Sequence, residues 1–128
     1  MKAFTDLEQS KKLIKILPIE SADMCYIKHA SSDNPTWRFD NDIPPMILGN
    51  VPINEITEET LPCWSLAALI KVLPEIEYLK PSMDLSPLLY PDKVAIYYFS
   101  EDSPYIVKDN LVDAVFEMLV WLKENKKL

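Results

Sequence analysis

Glycine is almost missing from this 128-residue chain: Gly49 is the only one. Phosphate-cradling loops need several glycines to bring backbone amides close to a ligand, so the nucleotide P-loop and the dinucleotide fingerprint are both excluded. A helix N-terminus could still hold an anion unaided. Histidine is equally scarce, with His29 alone, and cysteine is limited to Cys25 and Cys63. That set cannot build the usual closed zinc site, so no metal and no cofactor is expected. Arginine occurs once, as Arg38, and the net charge is −7. Binding to nucleic acid draws its affinity from Lys and Arg displacing phosphate counterions, so neither DNA nor RNA is the expected partner. Long apolar runs are absent too. The longest uncharged apolar run, Leu61 to Ile70, is half the ~20 residues a spanning helix needs, which argues against a membrane. Met1 to Asp6 has no apolar signal region, so a cytoplasmic location with two reduced thiols is expected.

What is present suits one compact domain over residues 1–128. Apolar residues make up 48 % of the chain, enough for one core. The acidic balance favours solubility and leaves room for a basic protein partner. Helical spacing predicts a first helix from Asp6 to Leu17, with a Thr5/Glu8 capping box and Pro18 as its stop. Ala22 to Ala30 reads as a strand, 31–35 as a turn and Thr36 to Phe39 as a short partner strand. Across 40–62 the prolines Pro44, Pro45 and Pro52 break the pattern, and an irregular segment of that length is often functional.

The second helix is expected from Cys63 to Leu73, opened by Pro62 and apolar around nearly its whole circumference, hence central and buried. Prolines punctuate 74–92. Val94 to Phe99 reads as an interior strand with two apolar faces, paired through the 100–103 turn with Tyr105-Ile106-Val107. Asp109 is the expected cap of a last helix over 110–125. The sum is an α+β fold, a small mainly antiparallel sheet packed by three helices, in the order α-β-(β)-α-β-β-α.

Three stretches carry a resemblance: Phe4-Thr5-Asp6-Leu7-Glu8-Gln9-Ser10-Lys11-Lys12-Leu13 with Ile16 to Met24; Pro62-Cys63-Trp64-Ser65-Leu66-Ala67-Ala68-Leu69; and Asp109-Asn110 through Trp121-Leu122-Lys123-Glu124-Asn125. Together they resemble a family of short uncharacterised proteins carried by prophages and mobile elements of anaerobic gut bacteria. Residues 40–54 and 79–91 match it less well. The resemblance implies a bacterial cytoplasmic accessory protein and carries over no catalytic residue.

Several residues invite chemistry. A cysteine at a helix start has its thiolate stabilised by the dipole and free amides, which makes Cys63 the sharpest catalytic candidate, with His29 or a carboxylate as its base. The competing reading is a buried thiol used for packing. Cys25 and His29 share a strand face but stand roughly 13 Å apart, too far for a dyad. Asp40-Asn41-Asp42 begins like a calcium loop, yet Pro44 takes a ligand position. Asp113 and Glu117 lie at i, i+4, either as an acid–base pair or as a solvated stripe. Trp64 reads as core. Phe116 and Trp121 flank the polar stripe of the last helix, and Trp37 sits beside Arg38 at a loop–strand junction. These three are the interaction candidates.

The functional expectation is a non-catalytic interaction or accessory module. Its partner would be an unidentified protein or a second copy of the chain. The alternatives are a small thiol enzyme using Cys63, or a small-ligand binder using Trp37, Tyr26 and the proline-rich connections.

Overall fold

The computed structural model describes residues 2–29, 38–40 and 58–128. Among these residues the architecture is α+β: three α-helices and two three-stranded antiparallel sheets. The elements are α1 (Leu7–Leu13), β1 (Met24–His29), β2 (Arg38–Asp40), β3 (Glu58–Cys63), α2 (Leu66–Val72), β4 (Ser82–Asp84), β5 (Val94–Tyr97), β6 (Ile106–Lys108) and α3 (Leu111–Glu124). The sheet orders are β2-β1-β3 and β4-β5-β6. Trp37, the 31–35 turn and residues 41–57, including the calcium-like start and its prolines, lie outside the described residues.

The expected β1–β2 pair forms, with Tyr26 opposite Phe39. β3 was hidden in the stretch read as irregular. Its Pro62 lacks a ladder donor, and an edge strand tolerates that, so the proline belongs to a strand and opens no helix. The register sets Met24 opposite Cys63 and His29 opposite Glu58.

Corrections concern all three helices. α1 begins one residue later than the expected box allowed. Asp6 caps it, accepting from the Gln9 amide at 2.8 Å while the Gln9 side chain accepts from the Asp6 amide at 3.1 Å. It ends at Leu13, and tight turns carry the chain on to the buried Leu17. α2 starts at Leu66, not Cys63, with Ser65 as its cap. All-round burial holds on one side only. Ala68 and Leu69 are buried, whereas Ala67, Ile70 and Lys71 face outward. The apolar circumference expected over 63–73 includes Cys63, which ends β3, and Trp64, which precedes the helix. α3 is capped by Asn110, which accepts from the Asp113 amide at 2.9 Å, one residue past the expected Asp109.

The core lies between α3, α2, the end of α1 and one face of the second sheet. Pleat alternation sends Ile96 and its cross-strand neighbours Met83 and Ile106 to that face, where Ile96 meets Val112, Val115, Met118, Leu119 and Leu122 of α3 in one cluster. Each fully buried Leu, Ile or Met contributes roughly 1.5–3 kcal/mol through area removed from water. Tyr98 shares the face, and its hydroxyl donates to the Pro74 carbonyl at 2.7 Å, so burial pushes its phenol up to about 12. β4 is the second strand hidden among prolines. A hydrogen-bonded turn, Ile76 to Leu79, leads toward it with both central residues left-handed: Glu77 at φ 53° and Tyr78 at φ 68°. Neither is glycine, so this turn holds backbone strain.

Candidate functional site

Two regions carry the polar and exposed chemistry. The first is a polar knot around the N-terminal segment. Thr5 is fully buried. Its amide donates to the Trp64 carbonyl at 2.9 Å, and its Oγ1 accepts from the Trp64 amide at 3.1 Å. The same Oγ1 lies 2.8 Å from Ser10 Oγ and 3.6 Å from Cys63 Sγ. The Tyr26 hydroxyl donates to the Thr5 carbonyl at 2.7 Å, and Trp64 Nε1 donates to Ser21 Oγ at 2.8 Å. Burial, then the nearby Cys63 sulfur, pushes the Tyr26 phenol up to about 12.

Cys63 sits inside this knot. It is fully buried at the end of β3, and its thiol donates to the Thr5 carbonyl at 3.4 Å. The helix-start placement is therefore corrected, and the dipole argument goes with it. Burial pushes the thiol up, against hydrogen bonds with Thr5, Tyr26 and Ser10 that pull it down, so it stays protonated at neutral pH. The register also separates it from His29, which lies five strand positions from the residue facing Cys63. At ~3.3 Å per residue that is roughly 16 Å, beyond any dyad. Cys25 faces Pro62, one position off, so the two buried cysteines point to opposite sides of the sheet and are unbridged.

Outside the knot, Lys2 donates to Asp6 at 2.9 Å and to Asp113 at 2.7 Å, and Asp113 also accepts from Gln9 and Asn110. Desolvation alone would raise the Asp113 carboxyl, but hydrogen bonds from Lys2, Gln9 and Asn110 hold it below its usual range. Asp113 and Glu117 thus do not work as a pair. Asp113 anchors the N-terminal segment, and Glu117 pairs with Lys108. Beside this network, Lys2, Leu66, Leu85, Val94, Asn110 and Leu111 line a cavity of about 100 Å³. Ligand pockets usually measure about 300–1,000 Å³. Among the described residues no buried side-chain nitrogen or oxygen lacks a hydrogen-bond partner, and no group of three His, Cys, Asp or Glu is placed to hold a metal. No helix among them is long and apolar enough to cross a membrane.

The second region is the outer face of β4-β5-β6. The pleat that turns Ile96 inward turns Ala95 and Tyr97 outward, beside Asp84 and Ser82 on β4 and Val107 on β6. Tyr97 stacks edge-on against Phe99 and tilts against Tyr105, both with centroids 5.2 Å away. Phe99 is 69 % exposed and Tyr105 51 %. Partial desolvation, then the Asp84 carboxylate and the Tyr97 and Tyr90 hydroxyls, raises the Tyr105 phenol. Tyr90 lines a groove with Lys93, Val107, Lys108 and Asp109. Just before it, Leu88 and Leu89 stand 96 % and 81 % exposed.

Of the residues proposed from sequence as interaction sites, Trp37 lies outside the described residues, and the other two fall elsewhere. Phe116 and Trp121 are half-buried and pack against the core. They line a shallow groove with Val120 and Lys12, whose ammonium lies 6.0 Å above the Phe116 ring. The outer sheet face was missed because Val94 to Phe99 read as apolar on both sides and hence covered on both. The usable signal was Phe99 and Tyr105 flanking the acidic turn Glu101-Asp102, since aromatics so close to a turn have little chain left to cover them. No family model, curated protein or solved structure matches the chain.

Proposed function

We propose that the chain is a non-catalytic protein-interaction module, an accessory protein of the kind its sequence resemblance implies, which docks a partner on the outer face of β4-β5-β6. The observation that carries the reading is the Tyr97–Phe99–Tyr105 cluster, in which Tyr97 is half-buried and Phe99 and Tyr105 are exposed; Leu88 and Leu89, just before Tyr90 in the chain, are exposed as well. Contiguous apolar surface rimmed by polar groups marks an interaction site, and aromatics dominate the energetics of such patches. Cys63 supports the non-catalytic half of the reading, being buried, protonated and far from the histidine.

The test is native affinity capture from a bacterial extract with quantitative mass spectrometry. It compares the unaltered chain with Phe99→Ser/Tyr105→Ser and with Trp121→Ala. The expected result is a set of proteins lost with the double variant and kept with Trp121→Ala. Identical sets for all three, or fast alkylation of Cys63 in the native state, would overturn the proposal.

A further inference from the structure

The outer sheet face has an electrostatic bias that narrows its occupant. Between residues 84 and 109 the chain places five acids and only two lysines. Both lysines are already neutralised, Lys93 by Asp109 and Lys108 by Glu117. Asp84, Asp92, Glu101 and Asp102 make no ion pair among the described residues. Asp84 shares the face with Tyr97 and Tyr105, and Glu101-Asp102 stands in the turn between Phe99 and Tyr105. The apolar centre thus has an uncompensated anionic rim. A second copy would bring the same rim and a further −7 of charge to the contact, which opposes self-association.

Resting on the interaction reading above, we infer that the occupant is a polypeptide segment of another protein in which apolar side chains alternate with lysine or arginine. The apolar side chains cover Phe99, Tyr105 and Tyr97, and the cations meet Asp84, Glu101 and Asp102. Such complementarity speeds encounter and selects the partner, and rim contacts of this kind weaken with salt.

The experiment uses the full chain and three fluorescein-labelled decapeptides that alternate leucine with lysine, serine or glutamate, followed by fluorescence anisotropy at 50 and 300 mM salt. The leucine–lysine peptide should bind at least tenfold tighter than the other two at low salt and lose most of that advantage at high salt. Phe99→Ser/Tyr105→Ser should weaken it tenfold or more. Asp84→Asn/Glu101→Gln/Asp102→Asn, confined to side chains that pair with no cation in the fold, should weaken it several-fold. Trp121→Ala should leave it unchanged. If the leucine–serine peptide binds equally well and the aromatic double variant loses it, the basic occupant is refuted while the interaction reading stands. If the double variant binds the leucine–lysine peptide like the unaltered chain, both fall. Sedimentation showing a dimer that disperses in the double variant would make a second copy the occupant and overturn the inference.

Discussion

The polar knot at the N-terminal segment and the outer face of the second sheet invert the usual assignment of polarity. In the knot, hydroxyls, a thiol and an amide are buried, and each has a partner. On the sheet face Phe99 and Tyr105 stand largely in water, and Leu88 and Leu89 do so in the connection before β5. A buried polar group is tolerated only when satisfied, so the knot is devoted to holding the fold together. An exposed apolar group gains nothing for the folded monomer, so the face is free to serve something else. Reactive-looking residues are thus buried and hydrogen-bonded, and bland-looking ones form the candidate site.

Substitutions break or sharpen this contrast in a definite order. Trp64→Ala should have the largest effect, about 3–5 kcal/mol of unfolding free energy in urea titrations, because it empties a fully buried volume. Thr5→Val keeps the shape but orphans the Trp64 amide and the Ser10 hydroxyl, so a loss of about 2 kcal/mol is expected by the same measurement. Asp113→Asn should cost on the order of 1 kcal/mol at neutral pH, a partly exposed ion pair being worth little more. Its pH dependence is more telling. The native carboxyl titrates below its unfolded value, so its stabilisation is complete above about pH 4 and disappears as the pH falls through the lowered native value. The acid limb of stability against pH should therefore be shallower in Asp113→Asn than in the unaltered chain. Phe99→Ser/Tyr105→Ser should move stability least, within about 1 kcal/mol, the scale of an aromatic pair. A loss of several kcal/mol there would mean the face belongs to the fold after all.

Much of the frame was legible because it rests on local signals. All three helices are legible with their starts displaced by one to three residues, because neighbouring short polar residues compete as caps, and the residues that build α3 and β5 have strong periodicity or composition. What failed was the link between an element and its surroundings. β3 carries Pro62, and only knowledge that it is an edge strand makes that proline acceptable. Cys63 looked like a helix-start thiol because Pro62 looked like a helix opener, so one misread residue supported both errors. Phe116 and Trp121 were legible as shoulder positions on their helix, but α1 supplies Lys12 to cover part of that shoulder, a non-local fact. Exposure of Phe99 and Tyr105 likewise depends on how the described elements pack, a non-local fact to which their closeness to the Glu101-Asp102 turn gives the one local clue.

The bond from Lys2 to Asp113 spans 111 residues, and that from Gln9 to the same carboxylate spans 104. On a ribosome Lys2 and Gln9 emerge about a hundred residues before the helix that fixes them, so they wait in solution while the intervening residues are synthesised. Long-separation contacts of this kind form late, since each carries the closure entropy of a large loop. The N-terminal segment is thus a buckle rather than a nucleus. Proteolysis of a nascent chain should find it open until α3 has cleared the exit tunnel.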